Sequence, residues 1–213
     1  MNSRSGQVVV DVGGGRSCPF AKYRDPAAQT KIIAVDVLEE ELRQNEDVDE
    51  RRAANITQGL PFEADEIDLL VSRWVLEHLE STDNFFESSE VALKREGYSI
   101  HLFASRFAPF ALINQALPDI LVDKVNDFFL SRGSKSGRRR FPAVYDHCYY
   151  SGIEKLLENH GFEMVDVHLN YYQARYFSFF FPLFLANALY EMLILALGAK
   201  NLAAHILVIA RKK

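Results

Sequence analysis

The sequence predicts an α/β domain built on a largely parallel sheet. Three observations carry this. The first is an apolar run closing on an acid and three glycines, Val8-Val-Val-Asp11-Val-Gly13-Gly14-Gly15. The second is another apolar run, Lys31-Ile-Ile-Ala-Val-Asp36-Val, also ending in an acid, about 20 residues further on. The third is the length, 213 residues, enough for one α/β domain with a full core. Continuous β-branched runs suit strands buried on both faces.

Bulk properties narrow the class. Net charge is −5, so no general attraction to nucleic acid is expected. The two cysteines, Cys18 and Cys148, make no disulfide framework, and a reducing, cytoplasmic setting is expected. No apolar leader is expected before the first strand, and no repeat or low-complexity tract stands out. One domain, residues 1–213, is expected.

The glycines after the first strand permit a sharp turn and close approach of a ligand to bare backbone. A dinucleotide loop needs a third glycine where Cys18 stands. Asp11 would repel a pyrophosphate, whereas a cationic ligand suits it. At this turn the sequence resembles the class I S-adenosylmethionine-dependent methyltransferases, whose first motif is an acid-x-Gly-x-Gly turn after strand one. The resemblance implies S-adenosyl-L-methionine as cofactor, with Asp11 toward its ammonium end and Gly13, Gly14 and Gly15 against it. Asp36, with Val37 beside it, is placed to meet ribose hydroxyls.

Residues 38–52 are acidic and read as a solvated loop or short helix. Ala54–Thr57 reads as a short third strand and 65–72 as the fourth. Gly59-Leu-Pro61-Phe62 and the strand after it resemble the family's Asp-x-x-x-Leu-Pro-Phe region, with Asn55 where many members have Asp. Its carbonyl oxygen can still accept from the adenine amine, and Ile56 would pack on the adenine face. Ser72 and Arg73, ending strand four, are further cofactor candidates, and Trp74 a substrate contact. Val75-Leu-Glu77-His78-Leu resembles a stretch common in small-molecule methyltransferases. His78 is the candidate base for a hydroxyl acceptor; the alternative is a local brace.

A helix over 82–95, stopped by Gly97, precedes strand five at Tyr98–Ala104. Residues 106–150 form a long insert with helical spacing around Ile113–Leu117 and Ile120–Leu130, then a basic loop, 131–140. In resembling enzymes this region shapes the acceptor pocket. Tyr145, Asp146 and His147 are therefore candidate substrate contacts, the alternative being internal packing. A helix over 151–161 follows, with Ser151 as its N-cap. Phe162–Leu169 is strand six and Ala204–Ala210 the last strand. The resemblance implies a Rossmann-like, seven-stranded mixed sheet with helices on both faces and strand seven antiparallel. No helix is expected before strand one, where family members can place one.

Residues 176–198 fit the family least. Pro182 suits a first helical position and Gly198 a stop. A helix over 182–197 would be about 24 Å long, short of a ~30 Å hydrocarbon core. It is expected to meet the core, a second copy of the chain or a membrane surface, with a full span as the remaining alternative.

Together these readings point to methyl transfer onto a small-molecule or glycan acceptor, lipid-linked forms included, through a hydroxyl. The enzyme would sit in the cytoplasm or at the inner face of the membrane. No metal ligand set is expected. Two rivals remain: a non-catalytic binding module with the same fold, and a nicotinamide-dependent oxidoreductase.

Overall fold

The computed structural model describes residues 6–25, 27–116 and 141–213. Seven strands form one sheet: β1 (Val8–Val12), β2 (Lys31–Asp36), β3 (Glu50–Ala53), β4 (Ile67–Arg73), β5 (Leu93–Ala104), β6 (Phe162–Asn170) and β7 (His205–Lys212). Their order is β3-β2-β1-β4-β5-β7-β6. The first five pair in parallel, while β7 runs antiparallel to both β5 and β6. This is the expected mixed sheet.

Helices cover both faces unequally. On one face lie α2 (Thr82–Ala92), α3 (Pro109–Ala116) and α4 (Tyr150–Asn159). They share the main core with Val10, Val12, Ile33, Val35, Phe103 and Ile206. Phe85 and Phe86 from α2 meet edge to face, centroids 5.3 Å apart. On the other face a smaller cluster joins Val9, Ile32 and Ala34 to Cys18, to Leu42 of the one-turn α1 (Glu39–Leu42) and to Val48. Between β1 and β2, the described residues form only a 3-10 turn at Ala21–Tyr23.

The structure corrects several boundaries. Strand three is Glu50–Ala53, not 54–57. Its charged sequence hid it, but Arg52 binds Glu50 and Glu66 there, and charges are what an edge strand tolerates. Residues 56–58 instead form a 3-10 turn, begun by Asn55 accepting from the Thr57 amide. Gly97 does not stop a helix. Helix α2 ends at Ala92 and the chain passes straight into β5, whose register against β4 jumps from Leu93 to Tyr98. Gly97 lies in that bulge, where a Cβ would sit 2.7 Å from the Lys94 carbonyl oxygen. Ser151 does not cap α4; its amide donates to the Asn201 side chain at 2.9 Å.

The final helix, α5, spans Phe181–Ala196, close to expectation, with Pro182 in its first turn. It packs on the 3-10 turn Ala174–Phe177 rather than across the sheet. The expected helical stretch Ile120–Leu130 and the basic loop 131–140 lie outside the described residues.

Candidate active site

The C-terminal ends of the parallel strands open on a cleft of about 580 Å³, where open α/β sheets bind ligands. Its floor is the glycine turn. The Gly13 and Gly14 amides both donate to the Val35 carbonyl, at 2.8 and 3.2 Å, folding the turn over β2. Gly13 has φ 71°, and a Cβ there would lie 2.3 Å from Val75 Cγ2. No other residue fits that place without moving Val75.

Asp36 faces the same cleft. Its carboxylate accepts from the Gly15 amide at 3.1 Å and the Leu38 amide at 2.9 Å. Each oxygen therefore keeps a lone pair for a ligand hydroxyl. Val37, Asn55, Ile56, Arg73, Trp74 and His78 also line the cleft. Asn55 departs from expectation. Its Oδ1 accepts from both the Thr57 amide (3.1 Å) and hydroxyl (2.8 Å), which fills that oxygen. The group left for a ligand is the Nδ2 donor, not a carbonyl acceptor.

Two cofactor candidates stand behind the cleft wall rather than in its lining. Asp11 is buried; burial pushes its carboxyl up to about 6, against the pull of Cys18 and Arg73. Ser72 is buried and shares a 2.7 Å hydrogen bond with His101 Nδ1. That histidine is wholly enclosed between Ser72, Ser99, Phe85 and Phe86, and burial lowers it to about 3, so it is neutral.

His78 sits on a 3-10 turn after β4, beside Phe141 and Pro142 at the cleft wall. Its Nδ1 lies 2.9 Å from the Pro142 carbonyl oxygen. A carbonyl only accepts, so Nδ1 carries the proton and Nε2 keeps a free lone pair. Trp74 adopts φ 59°, an uncommon backbone region for a bulky residue, of the kind that gathers at functional sites. It lines this cleft and also a second one of about 380 Å³, with Tyr176, His205 and Leu207. Trp74 meets His205 edge to face at 5.2 Å.

The other acceptor candidates are engaged elsewhere. Tyr145 is buried with φ 55°. The Asp146 carboxylate accepts from the Thr82 amide (3.0 Å) and hydroxyl (2.8 Å), holding the start of α2. His147 lies 3.0 Å from Asp146 and 3.7 Å from Asp83. These three gather ligand-type atoms in one place, but each has protein partners there, and they stand outside the cleft lining.

Glu77 escaped sequence reasoning. It is buried; Oε1 accepts weakly from the Ala104 amide at 3.4 Å, and Oε2 has no partner among the described residues. Burial pushes its carboxyl up to about 7. Its backbone carbonyl accepts from the Val144 and Tyr145 amides, pinning the segment after Pro142. Position in an acid-histidine pair was the only signal, and it pointed to the histidine.

The comparisons agree with this geometry. Residues 10–101 match the model of a methyltransferase domain. No curated protein matches the chain. An S-adenosylmethionine-dependent methyltransferase from Mesorhizobium loti is similar over 100% of this chain and 94% of its own, with TM-score 0.60 and 18% identity. Geranyl diphosphate C-methyltransferase from Streptomyces coelicolor A3(2), solved with Mg2+, geranyl diphosphate and S-adenosyl-L-homocysteine, is similar over 100% of this chain and 76% of its own (TM-score 0.61, 11% identity). Phosphoethanolamine N-methyltransferase 2 from Haemonchus contortus, bound to S-adenosyl-L-methionine, is similar over 98% of this chain and 49% of its own (TM-score 0.57, 16% identity). At such identities the structures speak for the fold alone. The matched region is similar to a methyltransferase domain, and the whole chain shares the fold of these S-adenosylmethionine-dependent methyltransferases. The glycine cradle closed by Val75 and the open lone pairs of Asp36 suit S-adenosyl-L-methionine.

Proposed function

We propose that the chain methylates a hydroxyl of a small-molecule or glycan acceptor, lipid-linked forms included, held at the cleft mouth between His78, Trp74 and Phe141. The supporting observation is the His78 Nδ1 to Pro142 contact at 2.9 Å, which leaves Nε2 free as a base on the cleft wall. Bound S-adenosyl-L-methionine supplies an electrophilic methyl on a sulfonium. The glycine turn and Asp36 hold the ligand's polar groups, so that the acceptor oxygen is aligned with the methyl carbon; positioning supplies much of the rate. The acceptor oxygen forms its bond to carbon as the carbon–sulfur bond breaks, and the hydroxyl proton passes to His78 Nε2. Nitrogen acceptors would not require that base.

Replacing His78 by Gln should lower turnover on a hydroxyl acceptor by about 100- to 10,000-fold. Affinity for S-adenosyl-L-methionine, measured by calorimetry, should hardly change. Undiminished turnover in His78→Gln would return this histidine to a bracing role and remove the support for a hydroxyl acceptor.

A further inference from the structure

Helix α5 is turned inside out. Its polar residues, Asn187 and Glu191, are buried, and every exposed residue from Phe181 to Ala196 is apolar. The inward polar face is bonded in place: the Glu191 carboxylate accepts from the Gln173 amide and from Asn187 Nδ2, both at 2.6 Å. Phe181 is 69% exposed, Met192 68% and Leu195 61%. Soluble monomers rarely leave a continuous apolar surface of this kind in water.

We infer that α5 is a membrane seat, lying in the interfacial layer of an anionic bilayer. Two observations favour lipid over a second copy of the chain. At 100° per residue, the exposed apolar residues cover roughly 240° of the helix circumference, whereas a helix packed on protein buries a stripe nearer 100°. Protein interfaces also carry a polar rim, and no polar side chain is exposed along α5. A fluid apolar phase wraps such an arc; a rigid partner leaves much of it wet. The second observation is charge. Between Tyr171 and Lys200 the charged residues are Arg175, Glu191 and Lys200; the acid is buried and both cations are exposed. They bracket the helix at its two ends, where they meet acidic head groups. A span is not at issue, since among the described residues no helix is long and apolar enough to cross a membrane. At 16 residues, about 24 Å, α5 fits in the plane instead.

This goes beyond methyl transfer and does not depend on the acceptor. The test is flotation of the full chain with vesicles of phosphatidylcholine and phosphatidylglycerol, alongside light scattering in detergent-free buffer. The double variant Leu189→Glu, Met192→Glu changes two exposed side chains, so folding should survive; an unchanged affinity for S-adenosyl-L-methionine would verify it. Wild type should float and the variant should lose at least about tenfold in vesicle partitioning. Equal flotation of both would overturn the seat at α5. Wild type that stays with the soluble fraction would overturn it as well, in favour of a second copy if it is a dimer that the variant dissociates, and of a bare surface if it is a monomer.

Discussion

Asn55 shows how one atom changes the recognition expected of a cleft. Reading its carbonyl as the adenine-amine acceptor followed from the resemblance, because Asn keeps one oxygen where many family members have Asp. The Thr57 amide and hydroxyl already take both lone pairs, and sequence gives no view of such local competition. Asp in its place would keep the turn and put a second, charged oxygen where Nδ2 stands. Asn55→Asp should therefore bind S-adenosyl-L-methionine about tenfold more tightly, a charged hydrogen bond being worth about 1.5–3 kcal/mol. Calorimetry with the demethylated product removes the sulfonium charge from the comparison. No gain with either ligand would mean that the adenine does not lie at Asn55.

Among elements, the turn after β4 ties several pieces together through Glu77. Its carbonyl holds the 144–145 backbone and its carboxylate touches the end of β5. Burial raises the folded carboxyl to about 7, above an unfolded value near 4.5. The folded state thus binds the extra proton between those values. The stability from the protonated form is complete below about pH 4.5 and is lost as pH rises through 7. Glutamine never ionises, so Glu77→Gln should match wild type near pH 4.5 and exceed it at pH 8, by about 3 kcal/mol at most. Urea unfolding at the two pH values measures this, and a difference that does not grow with pH would refute it. The boundaries that sequence placed well share a cause: β1, β2 and β7 are buried runs with few charges, and α5 has Pro182 and Gly198 at its ends. Those it placed badly, β3 and the α2–β5 junction, depend on ion pairs and a bulge that bring distant residues together.

At the scale of the whole molecule, the end of the sheet where the cleft opens was legible because a glycine turn and two acid-ended strands mark it, while the seven-stranded arrangement came from the family resemblance. Gly13, Gly14, Gly15, Asp36, Val37, Ile56, Arg73, Trp74 and His78 all line the cleft. Tyr145, Asp146 and His147 do not, because a run of polar and aromatic heads looks the same whether it meets a ligand or caps α2. Trp74 has a further consequence. It is the only tryptophan in the chain, and it forms part of the wall of both clefts. Its fluorescence is therefore a built-in optical gauge that needs no label. Filling the first cleft with S-adenosyl-L-homocysteine should shift or quench the emission in a saturable way, with a midpoint equal to the calorimetric Kd; an unresponsive signal at saturation would place the ligand away from the indole. His205, held neutral by a burial-lowered pKa, presses its ring edge to face against the same indole. Quenching by that imidazole, once charged, should set in at a lower pH than for an ordinary histidine, and a midpoint at or above the ordinary value would contradict its burial.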